Sequence, residues 1–230
     1  MKTTRIIVFV LVILMFLLTA CSLYSPTGNT VVTDDSCKAL ESSPAKDNCY
    51  AENLKCSKVE NGILRDSCVA ELAKAKKDIE VCNLIQSSTT KGYCQQLLAI
   101  EFNDESQCLK ISDEHWQDTC LYNLGLNNNN ENYCLLIFNE KPRRECLSKV
   151  ALATEKEEVC ELLDYDTRED CLFELAKKTT DANLCDKMSK SVNSSSCRLK
   201  LAKLTGDDKI CAGIKISVIK EECTRFFLGR

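Results

Sequence analysis

The chain has 230 residues, 28% of them charged, and a net charge of -4 that becomes -6 once Lys2 and Arg5 near the N-terminus are set aside. Mild acidity of this kind argues against a nucleic-acid binder, which carries a basic balance. Seventeen cysteines beside a single histidine argue against thiolate–imidazole metal clusters and against a Ser/His/Asp catalytic set.

In chain order, the first element is an export segment. "MKTTR" supplies two cations, Ile6 to Leu18 is an unbroken apolar run, and "LTAC" closes it. This is the order of an n-region, an h-region and a small-residue cleavage site. The run is shorter than the roughly 20 residues a spanning helix needs. Counting on through Tyr24 comes close to that length, so an uncleaved anchor is the alternative. Leu18, Thr19, Ala20 and Cys21 resemble the lipobox of bacterial-type lipoproteins at every position. The resemblance implies that residues 1–20 are a signal peptide and that Cys21 carries lipid. Residues 21–34, rich in Ser, Thr, Pro and Gly, read as a lipidated flexible linker. As a coil of about 14 residues the linker spans on the order of 20 Å. The expected location is therefore extracytoplasmic, on the cell surface or in a periplasm, with the membrane as the first partner.

Residues 35–230 form the cysteine-rich repeat domain. Beyond Cys21 there are sixteen cysteines, and an even count in an exported chain implies disulfides. Their intervals alternate 12 and 14, except for seven between Cys49 and Cys56 and eleven between Cys160 and Cys171. The repeat is thus about 26 residues long and present eight times, a period that signals stacked supersecondary units. Three residues after the first cysteine of each unit stand Leu40, Val59, Ile85, Ile111, Ile137, Leu163, Met188 and Ile214. Four before it, Asp78, Asp104, Asn130, Asp181 and Asp207 are of the types that cap helices. Four after the second cysteine stand Leu72, Leu98, Leu124, Val150, Leu175, Leu201 and Phe227, and the next residue is usually Ala or Gly. Spacing of four puts cysteine and large residue on one face, and the small neighbour admits a second helix. Pro142 suits the first turn of such a helix. Each unit reads as a helix of about eight residues, a tight turn and a helix of about twelve.

Helix rise decides the pairing. Within a unit both cysteines lie roughly 6 Å from the turn of an antiparallel hairpin, so they are level. Across the longer interval they are offset by roughly 7 Å. The expected bridges are Cys37–Cys49, Cys56–Cys68, Cys82–Cys94, Cys108–Cys120, Cys134–Cys146, Cys160–Cys171, Cys185–Cys197 and Cys211–Cys223. Each is expected to contribute roughly 3 kcal/mol by restricting the unfolded chain. The fold class is all-α, a solenoid-like stack of about eight two-helix hairpins. In its pattern of helical pairs with disulfides it resembles cysteine-rich relatives of tetratricopeptide-type repeat proteins. The shorter period carries no ligand position across. "CYAENLKC" could run as one continuous helix between the first two units, and Phe226 and Phe227 are placed to cover the far end of the stack.

Residues that could carry chemistry are few. There is no C-x-x-C pair for dithiol exchange, and no metal or other cofactor is expected. His115 and Trp116 fall in the turn of "CLKISDEHWQDTC", where a half-packed pair without convergent partners is the simpler reading. Three residues before the second cysteine stand Lys46, Arg65, Lys91, Arg143, Arg168 and Lys220. Stacked in register, these six form a candidate ladder for an anionic polymer or an acidic protein. The alternative is a solvated face, because Asp66, Asp118, Glu169 and Glu221 stand beside them. Asn193 begins an N-x-S sequon. The reading that results is a membrane-anchored extracytoplasmic binding or scaffolding module rather than an enzyme. A structural envelope protein with an uncleaved anchor, and a redox or metal-handling thiol protein, are the alternatives.

Overall fold

The computed structural model describes residues 34–229, and every regular element among them is helical. Cys21 and the residues assigned to the signal segment lie outside that range. Each unit has a short helical turn followed by a long helix, and each is closed by its own disulfide with Cα–Cα distances of 5.5–5.8 Å. The long helices of units 2 to 7 are Gly62–Lys76, Ser88–Glu101, Glu114–Asn128, Glu140–Thr154, Tyr165–Thr179 and Ser191–Thr205. Successive long helices pack on one another, and from unit 2 on each short turn lies against both its own long helix and the preceding one.

Capping residues set these lengths. Ser42, Asn61, Ser87, Asp113 and Asp164 each accept the backbone N–H three residues on, which starts the long helix of their unit. Asp78, Asp104, Asn130 and Asp207 cap the short turns through the N–H two residues on. Immediately before these caps the chain reverses through a left-handed residue, as at Lys77, Asn103, Asn129 and Gly206, and Glu155 and Thr180 repeat the conformation in their units. The short pieces are smaller than the eight residues the sequence suggests. They span three to six residues and take 3-10 form in units 2, 3 and 8. The cause is local, since the buried aliphatic three residues past the cysteine is already extended at Val59, Ile85 and Ile214.

The first junction departs from the expected continuous helix. The helix Ser43–Glu52 stops at Asn53, whose side-chain amide donates to the Cys49 carbonyl at 2.7 Å. Leu54 then takes the left-handed conformation at φ 55°. The seven-residue interval therefore comes from a long helix of 10 residues instead of 15, followed by an ordinary reversal. Unit 1 also packs apart, with Cys37, Tyr50 and Val59 in a small cluster beside the main core that runs from Cys56 to Cys223.

The core is a column of disulfides flanked by aliphatic side chains. Ile85, Ile137, Leu124, Val150, Leu175 and Leu201 are fully buried, as are Ala73, Ala99, Ala151, Ala176 and Ala202. The approach is closest at Gly125, in the same row, where a Cβ would stand 2.8 and 2.9 Å from the sulfurs of Cys146 and Cys134. The helix of one unit thus rests directly on the disulfide of the next. At the far end Phe227 packs against the core and meets Phe226 edge-on at 5.1 Å.

Candidate binding surface

The six basic side chains recur at one position of each unit, yet the structure turns most of their charged ends back onto the chain. Arg168 is the clearest case. Its guanidinium donates to both carboxylate oxygens of Glu161 at 2.7 and 2.8 Å, to Ser189 Oγ at 2.9 Å and to the Lys187 carbonyl at 3.2 Å. The Glu161 hydrogen bonds hold its pKa above the usual arginine value. Arg65 donates to Gln86 Oε1 at 2.6 Å, Arg143 to the Ile137 carbonyl at 3.5 Å and Lys220 to the Ala212 carbonyl at 3.3 Å. Lys46 and Lys91 are half-buried. Four of the six cations therefore serve the stack itself, which leaves a weaker electrostatic surface than the sequence spacing suggests.

The acidic residues beside them have the larger structural role, one that sequence reasoning missed. Two residues before the second cysteine, a buried carboxylate accepts the turn amides of the next unit. Asp47 takes Glu60 and Asn61 N–H, both at 2.9 Å, and Asp66 takes Gln86 and Ser87 N–H at 3.1 and 2.9 Å. Asp118 takes Phe138 N–H at 2.8 Å, Asn139 N–H at 3.0 Å and the Asn139 side-chain amide at 2.6 Å. Glu169 takes Ser189 N–H at 2.9 Å, and in unit 7 Ser195 Oγ accepts Ile216 N–H at 3.4 Å. Each clamp satisfies amides at the start of a helix, where a carboxylate is also favoured by the dipole. The recurrence of Asp or Glu at this position in five units was the available signal, read instead as neutralising charge.

Two units replace the clamp. In unit 3 the position is Gly92, and Trp116 of unit 4 fills the space so closely that a Cβ on Gly92 would lie 2.3 Å from the indole. Trp116 meets Tyr93 and His115 edge-on at 5.5 and 5.0 Å, so its principal role is packing. In unit 5 the position is Arg144, which donates to Asp164, the cap of the next long helix, at 3.0 Å. Asp164 is held below the usual carboxylate range, first by the Thr167 backbone amide and then by Arg144.

Open grooves recur between successive long helices. One of about 510 Å³ lies between units 4 and 5, lined by His115, Tyr122, Lys141 and Glu145 among others. There Tyr122 Oη donates to Glu145 at 2.9 Å, and Lys149 donates to Tyr122 Oη at 2.7 Å and pairs with Glu145 at 2.8 Å. Those bonds depress the Glu145 pKa and raise that of Lys149. A groove of about 630 Å³ occupies the equivalent place between units 1 and 2. Asn193, the sequon residue, is half-buried inside a long helix and donates to Glu169 Oε2 at 3.0 Å and Tyr165 Oη at 3.3 Å. Its amide nitrogen is engaged in holding units 6 and 7 together.

All sixteen cysteines of the described residues are paired, and among those residues no helix is long and apolar enough to cross a membrane. So many intrachain disulfides point to an oxidising compartment outside the cytoplasm. Comparison with protein-family models, with curated proteins and with solved structures finds no match for this chain.

Proposed function

We propose that the protein is an exported lipoprotein, tethered through Cys21, whose helical stack serves as a binding or scaffolding module for another protein at the membrane surface. The observation that supports this most directly is the clamp series. Carboxylates on one unit seize the turn of the next, so the stack presents its grooves as one continuous surface rather than as eight independent hairpins. A protein partner is favoured over an anionic polymer because Arg65, Arg143, Arg168 and Lys220 already donate to the chain. The cysteines serve as staples, which takes away the free thiols that a redox or metal-handling role requires.

Intact mass of the protein extracted from membranes tests the tether. The expected mass is residues 21–230 plus acyl chains, and Cys21→Ser is expected to carry no acyl chain. A mass that retains residues 1–20 would instead support the uncleaved anchor and the structural envelope role.

A further inference from the structure

The short turns of the four central units carry leucine where the others carry polar or small residues. Leu84, Leu109, Leu135, Leu136 and Leu162 stand one or two positions after the first cysteine and are 42–67% exposed. At the same two positions unit 2 has Ser57 and Lys58, unit 7 Asp186 and Lys187, and unit 8 Ala212 and Gly213. Nothing in the folding of a unit asks for these leucines, since units 2, 7 and 8 close the same disulfide without them. Leu109 and Leu135 take the first position after the cysteine and Leu84, Leu136 and Leu162 the second, so the leucines share the short-turn edge of four consecutive units as two adjacent positions rather than a single row.

Four of the five leucines are preceded, four residues earlier, by a glutamate: Glu80 before Leu84, Glu105 before Leu109, Glu131 before Leu135 and Glu158 before Leu162. In unit 5 both residues lie within the α-helix Glu131–Leu135, where that spacing sets carboxylate and leucine on one face, and in unit 4 Leu109 caps Glu105–Cys108 in right-handed helical conformation; Leu162 lies just beyond Glu157–Cys160, and unit 3 has a 3-10 turn. A glutamate at a helix start is explained by the dipole alone. The leucine beside it is not. The edge is thus apolar with an acidic border, interrupted by Lys110, and it sits on an acidic body.

We infer that this edge docks a basic amphipathic helix of a partner protein. Neighbouring units stand about 8–10 Å apart when helices pack directly, so the four central units span about 30 Å, the length of a helix of about 20 residues. The apolar face of such a helix covers the leucines and its cations meet Glu80, Glu105, Glu131 and Glu158. An anionic lipid surface is disfavoured by the same carboxylates. The inference deepens the binding-module reading, and its test is separate from the mass measurement that decides the tether.

The test uses the full chain in phosphatidylcholine nanodiscs and three labelled 20-residue peptides. These are a Leu/Lys amphipathic helix, its Leu/Glu counterpart and a Leu/Lys sequence scrambled to remove amphipathicity, with empty nanodiscs as the blank. Fluorescence anisotropy is expected to show saturable binding of the Leu/Lys helix alone, weakening with salt. L109S/L135S/L136S/L162S is expected to weaken it at least tenfold. E105K/E131K/E158K is expected to shift preference to the Leu/Glu helix. L204S, at an exposed leucine of a long helix, is expected to change nothing, and circular dichroism verifies that every variant keeps its helix content. Absence of Leu/Lys binding, equal binding of the Leu/Glu helix, or binding unchanged in the leucine-edge variants overturns the inference. So does sedimentation showing that wild type self-associates and the leucine-edge variant does not, because the occupant would then be a second copy.

Discussion

At the residue scale, Asp118 shows how one side chain holds two units together. It is 4% exposed and takes three hydrogen bonds from the turn of unit 5. Truncation strands buried amides without a partner, so Asp118→Ala is expected to cost about 2–4 kcal/mol in denaturant unfolding, and Asp118→Asn less. Glycines give a second test. Gly125→Ala drives a methyl group into a disulfide that cannot move aside, with an expected cost of about 1–3 kcal/mol. Gly92→Ala meets only the Trp116 side chain, which is half-buried and can rotate outward, so the smaller cost is expected there. Asp186 supplies the pH dependence. Its hydrogen bonds from Arg198, at 3.0 and 2.6 Å, hold its pKa below the ordinary aspartate value. A carboxylate lowered in the folded state contributes stability above its unfolded pKa and loses it as pH falls through the folded one. Melting temperature is therefore expected to drop below about pH 4 in wild type. Asp186→Asn is expected to remove that part of the acid sensitivity.

At the scale of the element, each hairpin is too small to persist without its staple. A single helical turn and a helix of 15 residues in unit 5 bury little between themselves. Cys134→Ala/Cys146→Ala is expected to cost about 2–5 kcal/mol. Hydrogen exchange is expected to rise mainly in units 4 to 6, because contacts in a stack reach only neighbouring units. The hairpins and their pairing were legible in the sequence because cysteine spacing, the buried aliphatic at Ile85 and Ile137, and the small residue at Ala99 and Gly125 all follow one period. The caps at Asp78 and Asp104 were legible for the same reason. The clamp was not. Spacing within a unit says nothing about what a carboxylate meets in the next, so Asp66 and Asp118 read as surface charge although both are buried. The break at Leu54 was hidden too, since a leucine in left-handed conformation has no sequence signature.

For the whole molecule, the consequence of local staples and neighbour-to-neighbour clamps is a body without long-range topology. Every disulfide closes over 11 or 12 residues and every clamp reaches only the following unit. Such a stack gains area by adding units, and the proposed binding falls to surfaces no single unit could offer, the grooves between long helices and the leucine edge of the central units. The architecture holds only where the sixteen thiols are oxidised in the pairs described. The decisive measurement is therefore a bridge map of the protein from intact cells, alkylated before lysis and digested without reduction. Eight bridges, each within one unit, and no alkylated thiol among the sixteen are expected. A bridge between units, such as Cys49–Cys56 or Cys68–Cys82, would contradict the stack, and thiols that alkylate in the cell would contradict its place outside the cytoplasm.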